Sequence, residues 1–323
     1  MGTKTQPLIS VIMGVYNPSD YNQLEEAVNS ILNQTFKDFE FIIYDDGNDE
    51  VTAKVIERIK QKDSRIRVIR EKDNKGLGFA LNQCIHVARG KYLARMDADD
   101  ISFPERLEEE MKFLEQHCEY DWVGCNAVIV SDYTIMGVRR MAEIPNQYNF
   151  LPFSPFIHPS VMFRRELFEK DNKYNIDEKT LRCEDYELFM RLYQQGYRGY
   201  NIQKCLFMYR EGSDSYQKRT LKSRCNEMKI RKNNFSKMSL PLVSRGIYIL
   251  RPLFTICIPR NVILLYKKMR LRSLNPLTYE ENRAYLRAFH DVIREKNVNG
   301  WDKGKEATSL VRETTESKFD AIR

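Results

Sequence analysis

Tyr92-Leu93-Ala94-Arg95-Met96-Asp97-Ala98-Asp99-Asp100 decides the fold: a short, mainly apolar run that ends abruptly on three carboxylates. The run Tyr92–Met96 reads as a strand. Four other runs behave alike, at Leu8–Met13, Phe39–Tyr44, Ile66–Ile69 and Trp122–Val130. Between them the apolar spacing turns helical. Leu24, Ala27, Val28, Ile31 and Leu32 fall at i, i+3, i+4, i+7 and i+8, with Ser19 or Asp20 placed to cap them. Val51, Val55, Ile56 and Ile59 mark a second helix, and Ala80, Leu81, Cys84, Ile85 and Ala88 a third. Strands alternating with helices at this spacing predict right-handed βαβ units and an α/β fold, with a mainly parallel sheet covered on both faces. Such sheets bind ligands beyond the carboxyl ends of their strands.

Two of those ends are acidic. The second strand runs into Asp45-Asp46-Gly47, and the fourth into Asp97-Ala98-Asp99-Asp100. Unpaired carboxylates at a buried strand end are costly, and a hard divalent cation with oxygen ligands relieves that cost. The competing reading makes these aspartates helix caps, but Ser102, Pro104 and Glu105 already supply a helix start. Beyond about residue 131 prolines 145, 152, 155 and 159 punctuate a loop-rich stretch. A helix at roughly Glu184–Gln195, ended by Gly196, and a short strand near Cys205–Tyr209 follow.

Composition narrows the class. The 323 residues are 42% hydrophobic and 30% charged, with 14 Gly and 11 Pro, which excludes collagenous, disulfide-scaffold and wholly disordered chains. Seven cysteines form no C-x-x-C pair, and reduced thiols in a cytosolic protein are the simpler expectation. His117, Cys118 and Cys125 lack zinc-site spacing. Met1–Gln6 has no signal-peptide layout, and no uncharged apolar run reaches the ~18–20 residues of a spanning helix.

The motifs in order resemble family 2 glycosyltransferases of the bacterial surface-polysaccharide type. They are Ile9-Ser10-Val11-Ile12-Met13 with Tyr16-Asn17, then Asp45-Asp46-Gly47, Asn74-x-Gly76 with Ala80-x-Asn82, and Asp97-Ala98-Asp99-Asp100. His158-Pro159-Ser160-Val161-Met162-Phe163 and Glu184-Asp185 continue the similarity to about residue 211. Asn48 stands where the family usually has Ser, and Leu81 where it often has Arg. The resemblance implies the GT-A, Rossmann-like fold and a UDP-sugar donor. It also implies donor-binding roles. Tyr16 would pack on the uracil with Asn17 beside it, Asp45 would accept the imide N–H with Asp46 adjacent, and Asp97 would lie near the ribose. Asp99, with Asp97, would ligate Mn2+ or Mg2+ on the diphosphate. Asn74, Asn82, His158 and Arg210 join the donor-binding set. Asp185, with Glu184, is the candidate catalytic base of an inverting transfer. Each has a plainer alternative: Tyr16 as a core aromatic, Asp45 as a turn-former, Arg210 in a surface role, Glu184 and Asp185 as partners of a helix dipole, His158 as a structural histidine. The processive members' Gln-x-x-Arg-Trp motif is absent, which implies one sugar per encounter.

Charge is concentrated at 218–272. Fifteen Lys or Arg face the single acid Glu227, net +14, leaving −7 for the rest of a chain totalling +7. Apolar pieces at Gly246–Leu250, Leu253–Ile258 and Val262–Tyr266 are split by Arg251-Pro252 and Pro259-Arg260. That pattern suits the headgroup layer of an anionic membrane. A nucleic-acid partner is disfavoured because aromatics for base stacking are sparse; a helix packing on a partner subunit, as in a homo-oligomer, is the other alternative. The expected organisation is a catalytic domain over 1–215, a basic, amphipathic helical membrane-associating region over 216–300, and a polar tail over 301–323. The expected location is cytoplasmic, peripheral on the inner face of the cell membrane, with a lipid-linked glycan as acceptor. A non-catalytic nucleotide-sugar-binding scaffold is the alternative function. A nucleotidyltransferase is disfavoured because Gly14-Val15-Tyr16-Asn17-Pro18 replaces the Gly-rich basic loop it needs.

Overall fold

The computed structural model describes residues 6–131, 134–211 and 220–254, with Val262, Met269 and Tyr285 beyond them. The apolar pieces 255–258 and 263–266, most of the basic residues past 254, and the polar tail lie outside the described residues. So do 212–219 at the expected domain boundary.

The expected strand–helix alternation is present. β1 (Ile9–Val15), α1 (Tyr21–Leu32), β2 (Phe39–Asp46), α2 (Glu50–Gln61), β3 (Ile66–Glu71), α3 (Leu77–Val87) and β4 (Tyr92–Arg95) follow one another. β3-β2-β1-β4 are hydrogen-bonded in that order and all parallel. Alternate residues on β1 and β2 enter different layers, as a pleated strand requires. Val11, Met13, Phe41 and Ile43 meet α1 and α2 through Leu24, Val28, Val55 and Ile59. Ile12, Ile42 and Tyr44 meet α3 through Ala80, Leu81 and Cys84 on the opposite face.

Past β4 the sheet mixes. β5 (Ile101–Ser102), α4 (Arg106–Gln116), β6 (Trp122–Ser131), β7 (Thr134–Arg139), β8 (Met162–Arg164), α5 (Glu166–Glu169), α6 (Glu184–Gln194) and β9 (Gly199–Arg210) complete the body. β8 runs antiparallel between β4 and β6, β9 is parallel to β6, and β5 and β7 pair antiparallel with β9 and β6. The stretch beyond 131 therefore holds more regular structure than its prolines suggest: β7 pairs back on β6, its neighbour in sequence, while β8 and β9 pair with strands distant in sequence.

The start of α4 corrects the sequence reading. Ser102 is a strand residue whose Oγ accepts from Gln34 Nε2 at 3.2 Å, and Glu105 makes no side-chain cap bond. The cap comes from 73 residues away: Gln34 Oε1 accepts from Leu107 N at 3.0 Å. Asp20 rather than Ser19 caps α1, accepting from Asn22 N at 2.8 Å.

α7 (Leu221–Phe235) and α8 (Leu242–Phe254) follow the body. Phe235 is buried with Ile230, Met238 and Leu240 in the same layer as α3 and α6. Among the described residues no helix is long and apolar enough to cross a membrane, and Cys84, Cys118, Cys125 and Cys225 are free thiols.

Candidate active site

The carboxyl ends of β1, β2 and β4 lie side by side, in register from Val15 opposite Asp45 to Ile12 opposite Arg95. Parallel pairing therefore delivers both acidic strand ends to one edge. β1 leaves the sheet through Tyr16, which is 56% exposed and so is no core aromatic. Asn17 follows with φ +44°, a left-handed position that asparagine tolerates. Its N–H donates to Asn48 Oδ1 at 2.6 Å, while Asn48 Nδ2 donates to Val15 O at 2.8 Å and Asp45 Oδ1 at 2.7 Å. Asn48, the departure from the family's Ser, thus ties the end of β1 to the end of β2 through both faces of its amide.

Asp45 is buried, with Oδ2 3.5 Å from Arg70 Nε. It stands at the wall of a cavity of about 370 Å³ lined also by Glu50, Lys54, Lys60, Val68 and Arg70. Asp46 points elsewhere. Its Oδ1 accepts from Lys75 N at 2.8 Å, and its Oδ2 from Gly76 N and Asn74 Nδ2, each at 2.9 Å. Asp46 and Asn74 therefore engage each other and fix the loop before α3. Gly47 has φ +72°, and a Cβ there would stand 2.3 Å from Asn74 N, so only glycine lets the loop close this tightly. Asn82 also has an anchoring job: it accepts from Tyr174 N and donates to Tyr174 O, both at 2.9 Å.

At the end of β4 the carboxylate oxygens of Asp97, Asp99 and Asp100 lie within 4.8 Å of one another, a possibility for metal binding met nowhere else among the described residues. Asp99 is exposed and Asp97 half-buried, while Asp100 is 1% exposed. Asp100 Oδ1 accepts from Arg210 N at 2.7 Å, and its Oδ2 is buried without a hydrogen-bond partner. Desolvation and then the neighbouring carboxylates push Asp100 well above the usual carboxylate range. The same two causes push Asp99 up to about 6. A buried carboxylate oxygen with no partner, beside two more hard oxygen donors, fits a divalent cation. Arg210 does not open toward a ligand. Its Nη1 donates to Asp99 O at 2.7 Å and its Nη2 pairs with Glu26. It braces the acidic turn from the flank.

The first turn of α6 carries Glu184, Asp185 and Glu187. Glu187 is paired with Arg191 at 2.9 Å, whereas burial raises the Glu184 pKa, with the Asp185 charge adding to it. Tyr174 feels the charges of Arg95, Asp185, Asp97 and Glu184 together, which brings the α6 turn and the strand-end acids into one neighbourhood. His158, read in a proline-punctuated loop with a structural role as the alternative, is buried in the 3-10 turn His158–Ser160, with Nε2 2.7 Å from Tyr174 Oη. Burial and then the Arg95 charge hold it neutral. Sequence reasoning overlooked Tyr174, the buried ligand-type oxygen of Asp100, and Arg95. For Arg95 a signal existed: it is the one charged residue inside the run Tyr92–Met96.

A family model described as Glycosyl transferase family 2 matches residues 10–171. The chain is 35% identical over 268 residues to EpsE of Bacillus subtilis (strain 168), assigned as a glycosyltransferase, covering 83% of this chain and 95% of that one. It is 32% identical to the O-antigen biosynthesis glycosyltransferase WbnJ of Escherichia coli, covering 68% of this chain and 86% of that one. Among solved structures, residues 1–349 of S. aureus TarS in complex with UDP-GlcNAc superpose with a TM-score of 0.59 at 20% identity, covering 88% and 80% of the two chains. The mannosyltransferase PcManGT from Pyrobaculum calidifontis, in complex with GDP-Man and Mn2+, gives 0.56 at 17% identity, covering 93% and 89%. At these identities the two structures speak for the fold, which is GT-A.

Proposed function

The chain belongs to glycosyl transferase family 2, and from that premise we propose a metal-dependent, inverting, non-processive enzyme of surface-polysaccharide synthesis. It moves a hexose or N-acetylhexosamine from a UDP-sugar to a lipid-linked glycan. The observation that carries this reading is the gathering of three carboxylates at the end of β4 within the electrostatic neighbourhood of the α6 turn. A relative named for O-antigen biosynthesis and a neighbour solved with UDP-GlcNAc support the pathway and the donor.

Asp97, Asp99 and Asp100 would hold Mn2+ or Mg2+, which would supply positive charge to offset that on the departing diphosphate. The exposed Tyr16 ring offers a stacking face to the uracil, and Asp45 at the cavity wall accepts its imide N–H. Asp185 removes the proton from the acceptor hydroxyl as its oxygen bonds to the anomeric carbon. The bond from that carbon to the phosphate oxygen breaks, and UDP leaves with the electron pair. A single displacement of this kind inverts the anomeric centre. The basic segment, with the outward apolar face of α8, holds the enzyme at the inner face of an anionic membrane, where a lipid-linked acceptor stays within reach.

Screening UDP-sugars with Mn2+ and a lipid-linked acceptor for UDP release tests the reading. Wild-type turnover is expected, with Asp185→Asn reducing kcat by at least about 100-fold while donor affinity stays within about threefold. Near-normal turnover of the variant removes Asp185 from the mechanism. Donor binding without any UDP release by the wild type would favour the scaffold alternative.

A further inference from the structure

Arg95 is 1% exposed, yet its neighbours on β4, Tyr92, Leu93 and Ala94, are buried core residues. A guanidinium in such surroundings needs compensation. Its Nη1 lies 2.6 Å from Asp97 Oδ1, an ion pair rather than a well-aligned hydrogen bond. Its Nε has no hydrogen-bond partner. Backbone bonds fix the strand around it: Arg95 N donates to Val161 O at 2.9 Å, and Arg95 O accepts from Arg106 Nη2 at 2.8 Å. The main chain that carries the guanidinium is therefore fixed at the start of the acidic turn, and the guanidinium reaches the Asp97 carboxylate from it. Also within reach of the guanidinium charge, His158 and Tyr174 are joined at 2.7 Å, and Tyr174 is held to α3 by Asn82. The charge on Arg95 is felt by Asp99, Asp100, His158 and Tyr174 alike.

Leaving donor capacity unused on a buried guanidinium is destabilising, and a well-packed apolar side chain would serve the strand better. Three carboxylates within 4.8 Å of one another, by contrast, repel one another and need a fixed positive charge beside them. Arg210 braces the main chain of Asp99 and is already paired with Glu26. Arg95 reaches a side-chain carboxylate of the triad directly, through the Oδ1 of Asp97. We propose that Arg95 is a positioning residue that turns the Asp97 carboxylate toward the cleft, so that the acidic triad is set for a divalent cation and a nucleoside diphosphate before either arrives.

This proposal rests on the metal-and-donor reading above, so the experiment separates the two. Mn2+ binding in the presence of UDP is measured by calorimetry for the wild type, Asp99→Asn, Arg95→Lys and Arg95→Gln, with folding checked by circular dichroism. Lys keeps the charge and loses the fork; Gln keeps a planar N–H donor and loses the charge. Both Arg95 variants are expected to fold and to bind Mn2+–UDP about 10-fold or more weakly, a loss of about 1.4 kcal/mol or more. The KM for donor should rise by a similar factor, and kcat should fall less. Wild-type affinity in either folded Arg95 variant overturns the positioning role while Asp99→Asn still abolishes binding. Unaltered binding in Asp99→Asn, or none in the wild type, overturns the metal site and the proposal with it. Failure of both Arg95 variants to fold assigns the arginine to the fold, and overturns the proposal as well.

Discussion

Glu40 and Asp46 lie on the same strand, and each uses its carboxylate to hold a distant backbone segment. At the amino end of β2, Glu40 accepts from Ser10 Oγ and Arg89 N at 2.8 Å each, and pairs with Arg67 and Arg89. Burial pushes its pKa up, but the bonds from Arg89, Ser10 and Arg67 outweigh that, leaving it below the ordinary 4.5. A depressed folded-state pKa stabilises the fold fully above the unfolded value, and the gain is lost as pH falls through the folded one. Glu40→Gln should therefore cost about 1–2 kcal/mol at pH 7, since both arginines keep access to water. The gap to wild type should narrow below pH 4.5, which urea midpoints across that range would read; a constant gap would refute the linkage. At the other end of β2, Asp46→Asn places an amide N–H against the N–H of Lys75 or Gly76. Bonds to a charged acceptor contribute about 1.5–3 kcal/mol, so a loss of about 2–3 kcal/mol in urea unfolding is expected, with a raised donor KM. The acid pair Asp45-Asp46 was visible in the sequence, but the division of labour was not. One carboxylate lines the cavity and the other fastens a loop 28 residues on, and only the loop's path distinguishes them.

Helices and strands were readable wherever a continuous apolar pattern of their own marks them. Apolar spacing located α1, α2 and α3 because each buries one stripe against β1 or β2. β8 and β7 escaped notice because a three- or six-residue strand is specified by the strands it joins, not by its own pattern. The start of α4 shows the same limit. Ser102, Pro104 and Glu105 look like a local helix signal, yet the cap is Gln34, whose amide also donates to Ser30 O at 2.9 Å and Phe103 O at 2.7 Å. No local window contains that information. Gln34→Leu keeps the volume and removes every bond, stranding Leu107 N, while Phe103 O keeps its bond from Arg106 N at 3.1 Å. A loss of about 1–3 kcal/mol is expected from the unsatisfied Leu107 N–H, and hydrogen exchange should accelerate at Leu107 and in β5 before the rest of the sheet. A stability change under about 0.5 kcal/mol would mean α4 is capped by other means.

At the scale of the whole molecule, α7 and α8 join a basic, partly apolar segment to the GT-A body. Arg231 donates to Leu151 O at 2.7 Å and Arg251 to Pro152 O, so both helices grip one loop of the catalytic layer. Tyr248 and Ile249 of α8 pack toward that layer, while Leu242, Val243, Ile247, Leu250 and Phe254 are exposed. At 100° per residue these five span a single face, with Val243 75% and Ile247 59% exposed. An apolar face alone would suit several occupants. Its setting in a segment with fifteen basic residues and one acid favours an anionic bilayer surface, at about 1 kcal/mol for each Lys or Arg that reaches it. Insertion of α8 would then set the height of the body above the lipid through the two arginine grips. Val243→Asp with Ile247→Asp alters only outward positions, so thermal stability should hold within a few degrees. Flotation with anionic vesicles at physiological salt should fall at least about tenfold, and neutral vesicles should bind neither protein. Undiminished flotation of the double variant would leave charge alone as the attachment; wild-type protein that floats with neither vesicle would end the membrane reading and leave the apolar face to a second copy of the chain or another protein.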